Sequence, residues 1–177
     1  MRFKVEGPFE IEKNGRIPRI TNDSVFRFGE NLKRFAGLAD AVGCYVFAMR
    51  AGKGIKPWYV GRTNRQSLLS ESFHETKLVQ YNDVILEQKK GTPVLFFIPV
   101  LTTDGKHYRT NRNYRTVEPA INFLEIWLIG EALKANKDLL NKKSTKMLRE
   151  LHVAGIFNSK QGEASKSSQA LRQTLNH

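Results

Sequence analysis

The stretch Gly43–Thr63, GCYVFAMRAGKGIKPWYVGRT, decides how the rest of the chain is organised. Gly43 to Met49 and Trp58 to Val60 read as two strands. RAGKGIKP between them, with two glycines and a proline, reads as the loop that turns the chain. Tyrosine is a good strand former, so Tyr45 and Tyr59 taken singly are ordinary packing residues. As a pair beside glycines, at the start of one strand and the end of the next, they aim two hydroxyls towards one point. Gly61 lets a ligand approach the backbone closely. Arg62, Thr63, Asn64 and Arg65 then supply groups suited to phosphate at the start of a helix.

Upstream, FKVEGPFEIEKNGRIPRI alternates Phe3/Val5 and Phe9/Ile11 around Gly7-Pro8 and turns at Asn14-Gly15, the pattern of an N-terminal β-hairpin. Thr21 to Ser24 then cap a short amphipathic helix with Val25, Phe28, Leu32 and Phe35 on one face and Gly37 as its stop. Downstream, Asn64 to Lys90 is polar and helical. GTPVLFFIPVL, from Gly91, is an almost wholly apolar strand and is expected to be buried on both faces. Pro119 opens a long helix, PAINFLEIWLIGEALKAN. The tail beyond Asn158 is Ser/Gln/Lys-rich and loose by composition, with a short helix expected near Leu171. The order predicts an α+β domain with a small, mainly antiparallel sheet. The expected division is 1–40 for the hairpin and first helix, 41–142 for the core, and 143–177 for a basic C-terminal extension.

The chain has 29 basic and 17 acidic residues, a net charge of +12. Residues 1–90 hold 16 basic and 10 acidic side chains and 91–177 hold 13 and 7, so the excess is +6 in each half and no single tail explains it. This balance favours a polyanionic partner, nucleic acid before an anionic membrane, over a basic protein with no such partner. Cys44 is the lone cysteine, which excludes an intrachain disulfide or thiolate zinc cluster and suits a reducing cytosol. No apolar run is long enough to span a bilayer, and the opening residues lack a signal-peptide pattern. A cytoplasmic, non-membrane protein is expected.

Glu125 is the residue with the sharpest physical argument. At 100° per residue, Ile121 and Ile129 lie about 40° to either side of it, Leu128 about 60° and Ala132 about 20° away. A carboxylate at the centre of an apolar face needs a partner. Either Arg or Lys pairs with it inside the protein, or it opens into a cleft as a metal-binding or catalytic group. Glu118, on nearly the same face, is a weaker second candidate. In the loop 102–115, Lys106, Arg109, Arg112 and Arg115 recur every third residue among His107, Tyr108 and Tyr114. That is either a solvated surface or a nucleic-acid contact combining phosphate charges with stacking. Lys53 and Lys56 in the strand-connecting loop are further candidate nucleic-acid contacts. There is no GxxxxGK[ST] loop, no HExxH and no Cys/His cluster.

Gly43-Cys44-Tyr45 and Tyr59-Val60-Gly61, followed by an arginine-bearing helix, a buried strand, a helix carrying Glu125 and then Asn141 in DLLNKK, resemble the paired signature of the GIY-YIG nuclease superfamily over roughly residues 40–142. The stretch looks like a stand-alone bacterial or phage branch. The resemblance implies a three-stranded antiparallel sheet flanked by helices and hydrolysis of DNA phosphodiesters with one Mg2+ or Mn2+ ion. It implies that Glu125 holds the metal while Tyr45 and Tyr59 line the site, one of them, assigned as Tyr45, activating or positioning the attacking water. The sequence departs from the family where a helix arginine is expected: that position is Leu69. Arg65 or Arg62 stands in for it, since a guanidinium has a long reach and a phosphate-matching fork. If neither does, the implied alternative is a DNA-binding or regulatory protein on the same fold with weak catalysis. An interaction or membrane-surface protein is the third reading.

Overall fold

The computed structural model describes residues 1–52, 54–88, 90–141, 150, 154 and 163–175. The chain divides into two units, Met1–Leu140 and Asn141–His177. Lys53 and most of the basic segment that follows Asn141 lie outside the described residues.

The first unit is organised by its most apolar strand. β4 (Thr92–Pro99) is buried on both faces, and such a strand needs neighbours on both edges to satisfy its backbone. It finds β2 (Gly43–Ala51) on one side and β1 (Glu6–Glu10) on the other, both antiparallel, while β3 (Gly54–Thr63) pairs with the far side of β2. The sheet therefore has four strands in the order β1-β4-β2-β3, one more than the three expected. The extra strand comes from the N-terminal segment, which does not form a separate hairpin. Phe9 explains why: its ring packs edge-on against Phe28 and Phe35 and lies 6.0 Å from Phe97, which ties β1 to the core. Asn14 and Arg19 close only a small turn beyond it.

The β2–β3 hairpin is longer than its sequence suggests. Arg50 pairs with Ile55 and Met49 with Lys56, so most of the expected loop is strand. The ladder shifts register between Phe47 and Ala48, beside Pro57, as a residue without an N–H requires.

Helices cover both faces. On one side α1 (Asn22–Leu32), α2 (Leu68–Ser72) and α3 (Glu75–Glu87) pack Phe28, Leu32, Leu68, Phe73, Tyr81 and Ile85 against Tyr45, Phe47, Leu95 and Phe97. Thr21 and Ser24 form a reciprocal capping box at the start of α1. On the other side α4 (Glu118–Ala135), with Pro119 in its first turn, packs Ile121 against Val42, Cys44, Ile98 and Val100. The segment after α4 returns along β3, where Leu140 N donates to Trp58 O (2.9 Å) and Asn136 Nδ2 donates to Pro57 O (2.7 Å). The loop 102–115 is partly ordered: Leu101 bridges Tyr108, Ala41 bridges Thr110, and Asn111–Thr116 is a 3-10 helix. In the second unit, α5 (Lys166–Leu175) is a helix. Among the described residues no helix is long and apolar enough to cross a membrane.

Candidate active site

β3 lies at the edge of the sheet, so side chains from both of its faces can reach one opening. Successive strand residues alternate between faces. Tyr45 sits opposite Gly61, and Phe47 opposite Tyr59, on the α1–α3 side; Cys44 sits opposite Arg62 on the α4 side. Around this edge a cleft of about 400 Å3 is lined by Tyr45, Tyr59, Arg62, Asn64, Arg65, Glu71, Lys77 and Glu125, with Thr63 and Gln66.

The two tyrosine rings stack with centroids 6.1 Å apart and planes at 27°. The space that the absent Gly61 side chain leaves is used by Tyr45: a Cβ there would lie 2.3 Å from Tyr45 Cζ. Gly61 thus admits the ring of its own neighbour, not a ligand. Tyr45 is fully buried, and among the described residues its hydroxyl has no hydrogen-bond partner. Burial first, then the nearby Tyr81, Tyr59, Glu71 and Glu125, pushes its phenol far above the ordinary range, so it stays protonated and offers no phenolate to take up a proton.

Glu125 is flanked by buried Ile121, Ile129 and Ala132, as the helical spacing requires, yet its side chain keeps 22% exposure. Arg62 Nε donates to its Oε2 at 2.8 Å. Both alternatives for this carboxylate are therefore realised together: it has an internal cation and it borders the cleft. Its pKa is raised, because burial outweighs the attraction of Arg62 and Lys77. Glu118 is tied into the cleft wall, accepting from Asn64 Nδ2 at 2.7 Å. Cys44, beneath Arg62, is buried, its thiol donates to Ile121 O, and burial chiefly pushes its pKa up to about 12.

Arg65 borders the cleft but is not on a helix, because α2 begins only at Leu68 behind its Ser67 cap. Leu69 does not face the cleft. It packs into the core beside α1, where a Cβ on Gly29 would meet its Cδ2 at 3.3 Å. Leu69→Arg would drive a charge into this contact and is expected to lower unfolding free energy by about 1–3 kcal/mol without raising any activity; urea denaturation measures it. Lys77, which the sequence reading passed over, reaches the cleft from α3, with Nζ 5.2 Å from the Tyr59 ring centroid. Glu71 was missed as well. Both lie in a segment whose weak apolar pattern gives no register, so nothing in the sequence aims them.

The remaining nucleic-acid candidates fall into groups. Arg112 and Arg115 are exposed on the 3-10 helix, which is joined to the cleft wall by Asn111 Nδ2 donating to Arg65 O at 2.9 Å. Lys106 is exposed nearby, whereas Arg109 bonds Thr116 and Thr103 at 3.4 Å and so braces its own loop. The Tyr114 side chain lies outside the described residues. Lys56 stands over Trp58 (4.8 Å) towards the hairpin tip. It is six residues, or roughly 20 Å of strand, from Arg62, so the fold does not bring it to the cleft.

A metal would find few protein ligands here. Among the described residues no three His, Cys, Asp or Glu side chains converge. Glu125 can offer Oε1, since Arg62 occupies Oε2. One carboxylate completed by phosphate oxygens and water is a common setting for Mg2+, so the residues present fit such an ion. Comparison of the chain with protein-family models, curated proteins and solved structures finds no match.

Proposed function

We propose that the chain is a metal-dependent endonuclease that hydrolyses DNA phosphodiester bonds at the cleft around the edge of β3, with Mg2+ or Mn2+ as cofactor. One observation carries this reading. Tyr45, Tyr59, Arg62, Arg65 and Glu125, brought together on sequence grounds through the resemblance to GIY-YIG nucleases, line one cleft with Lys77 beside them. Glu125 would hold the ion, which supplies charge stabilisation to the phosphate and its leaving oxygen. Arg65 and Lys77 present positive charge to the phosphodiester, and Arg62 orients the Glu125 carboxylate through the Nε–Oε2 bond. Tyr59, held between Tyr45 and Tyr81, fixes the cleft wall. The net charge of +12 and exposed Lys106, Arg112 and Arg115 favour the DNA backbone as the partner.

The Arg62–Glu125 ion pair also favours a second reading, a DNA-binding protein on the same fold in which that pair is structural. Incubation of the purified chain with supercoiled, linear and single-stranded DNA, with Mg2+, Mn2+ or EDTA, separates the two. Nicking that requires the ion is expected. Salt-dependent binding without cleavage in either metal would leave only the second reading.

A further inference from the structure

Glu71 borders the same cleft from α2, half-buried, and among the described residues its carboxylate makes neither an ion pair nor a hydrogen bond. A carboxylate that borders a cleft with both oxygens uncommitted can accept a proton from what enters there. A second observation points the same way: the Tyr45 hydroxyl, fully buried and without a partner among the described residues, belongs to the wall of this opening. The groups facing Glu71 are Tyr45 of β2, Tyr59, Arg62 and Arg65 of β3 and its following turn, Lys77 of α3 and Glu125 of α4. Its charge registers on two of them. After burial, which dominates, Glu71 is among the causes that raise the pKa of Tyr45 and Glu125.

We propose that Glu71 is the general base of this cleft and removes a proton from the water that attacks the phosphodiester phosphorus. The proposal rests on the nuclease reading above. A general base needs a free lone pair open to the water. Tyr45 has its hydroxyl buried and firmly protonated. Glu125 has Oε2 occupied by Arg62 and Oε1 directed to the cofactor role. The guanidinium and ammonium groups of Arg62, Arg65 and Lys77 have no acceptor to offer. Glu71 has both oxygens uncommitted. In the step, one water O–H bond breaks and its proton passes to a Glu71 oxygen. The water oxygen bonds to phosphorus, the P–O bond to the leaving oxygen breaks, and that oxygen takes a proton from solvent. Glu71 then returns its proton to bulk water.

The test compares wild type, Glu71→Gln, Glu71→Asp and Glu71→Ala on plasmid DNA in Mg2+, with Mn2+ affinity measured by calorimetry and DNA affinity by titration in EDTA. Glu71→Gln is expected to slow nicking by about 10²–10⁴-fold while Mn2+ and DNA affinity are retained. Glu71→Asp is expected to keep part of the rate, and added formate to restore part of the Glu71→Ala rate in a dose-dependent way. Four results would overturn the proposal: undiminished nicking by Glu71→Gln, a tenfold or greater loss of Mn2+ affinity (the mark of a metal ligand), no restoration by formate, or a Glu71→Asp rate no better than that of Glu71→Gln. If the wild type itself cuts nothing, the nuclease reading fails and the base assignment goes with it. If the wild type cuts and Glu71→Gln cuts equally, the base assignment alone fails.

Discussion

Replacing Glu125 with glutamine is expected to lower Mg2+-dependent nicking by about a hundredfold or more while leaving the protein at least as stable as wild type near neutral pH. On the proposed function, the activity loss follows from removing the anionic oxygen that would hold the ion. The stability gain follows from the direction of the pKa shift. Burial raises the Glu125 pKa in the folded protein above its ordinary 4.5 despite Arg62 and Lys77. The folded state therefore favours the protonated carboxyl, and its contribution is fully present below about pH 4.5. It is lost as pH rises through the raised folded value, above which the ionised group strains the fold. Glutamine imitates the protonated form. The Arg62 contact that it weakens involves a guanidinium about one-third exposed, which water can resolvate, and such pairs contribute at most about 1 kcal/mol. Urea unfolding at pH 4 and pH 8 checks this: the two proteins should coincide at the lower pH and separate in favour of Glu125→Gln at the higher. A variant markedly less stable at pH 8 would mean that the ion pair, not burial, dominates this site.

Gly61→Ala is expected to damage both folding and cleavage. The new methyl would lie 2.3 Å from Tyr45 Cζ and 2.5 Å from its hydroxyl oxygen. Tyr45 cannot step aside, being fully buried and stacked beside Tyr59. Overpacking of this kind costs about 1–3 kcal/mol, or roughly 2–12 °C in Tm for a chain of this size. Displacement of the tyrosine pair should reduce nicking by about a hundredfold. A double-mutant cycle isolates the cause. Adding Gly61→Ala to Tyr45→Ala removes the ring that the methyl strikes and should cost little further stability. Equal losses in both backgrounds would place the damage in the strand backbone.

The strands that the sequence declares most strongly are those whose side chains have one possible environment. VLFFIPVL cannot be exposed on either face, so its central place in the sheet follows from composition. The spacing of Ile121, Glu125 and Ile129 sets the inward face of α4 in the same way. β1 was harder, because EGPFE looks like half of a local hairpin until Phe9 meets Phe28, Phe35 and Phe97, all of which lie beyond that hairpin. The hairpin loop was overread for a related reason: glycine and proline punctuate sequences, but β3 absorbs Pro57 at a register shift. At the site, the tyrosines and Glu125 were legible since glycine neighbours or helical phase mark them. Lys77 and Glu71 were not, because each is an ordinary charged residue on a short or weakly patterned helix, and only packing turns it towards the cleft.

The return of the chain past α4 has a bearing on how the protein behaves at high concentration. An outer strand with free carbonyls and N–H groups is an invitation to another copy, and sheets grow into aggregates along such rows. Here the one of the two outer strands that frames the cleft has the carbonyls of Trp58 and Pro57 already claimed by Leu140 and Asn136, and Pro57 brings no N–H of its own. The margin that frames the cleft is thereby closed, along its middle, to self-recruitment.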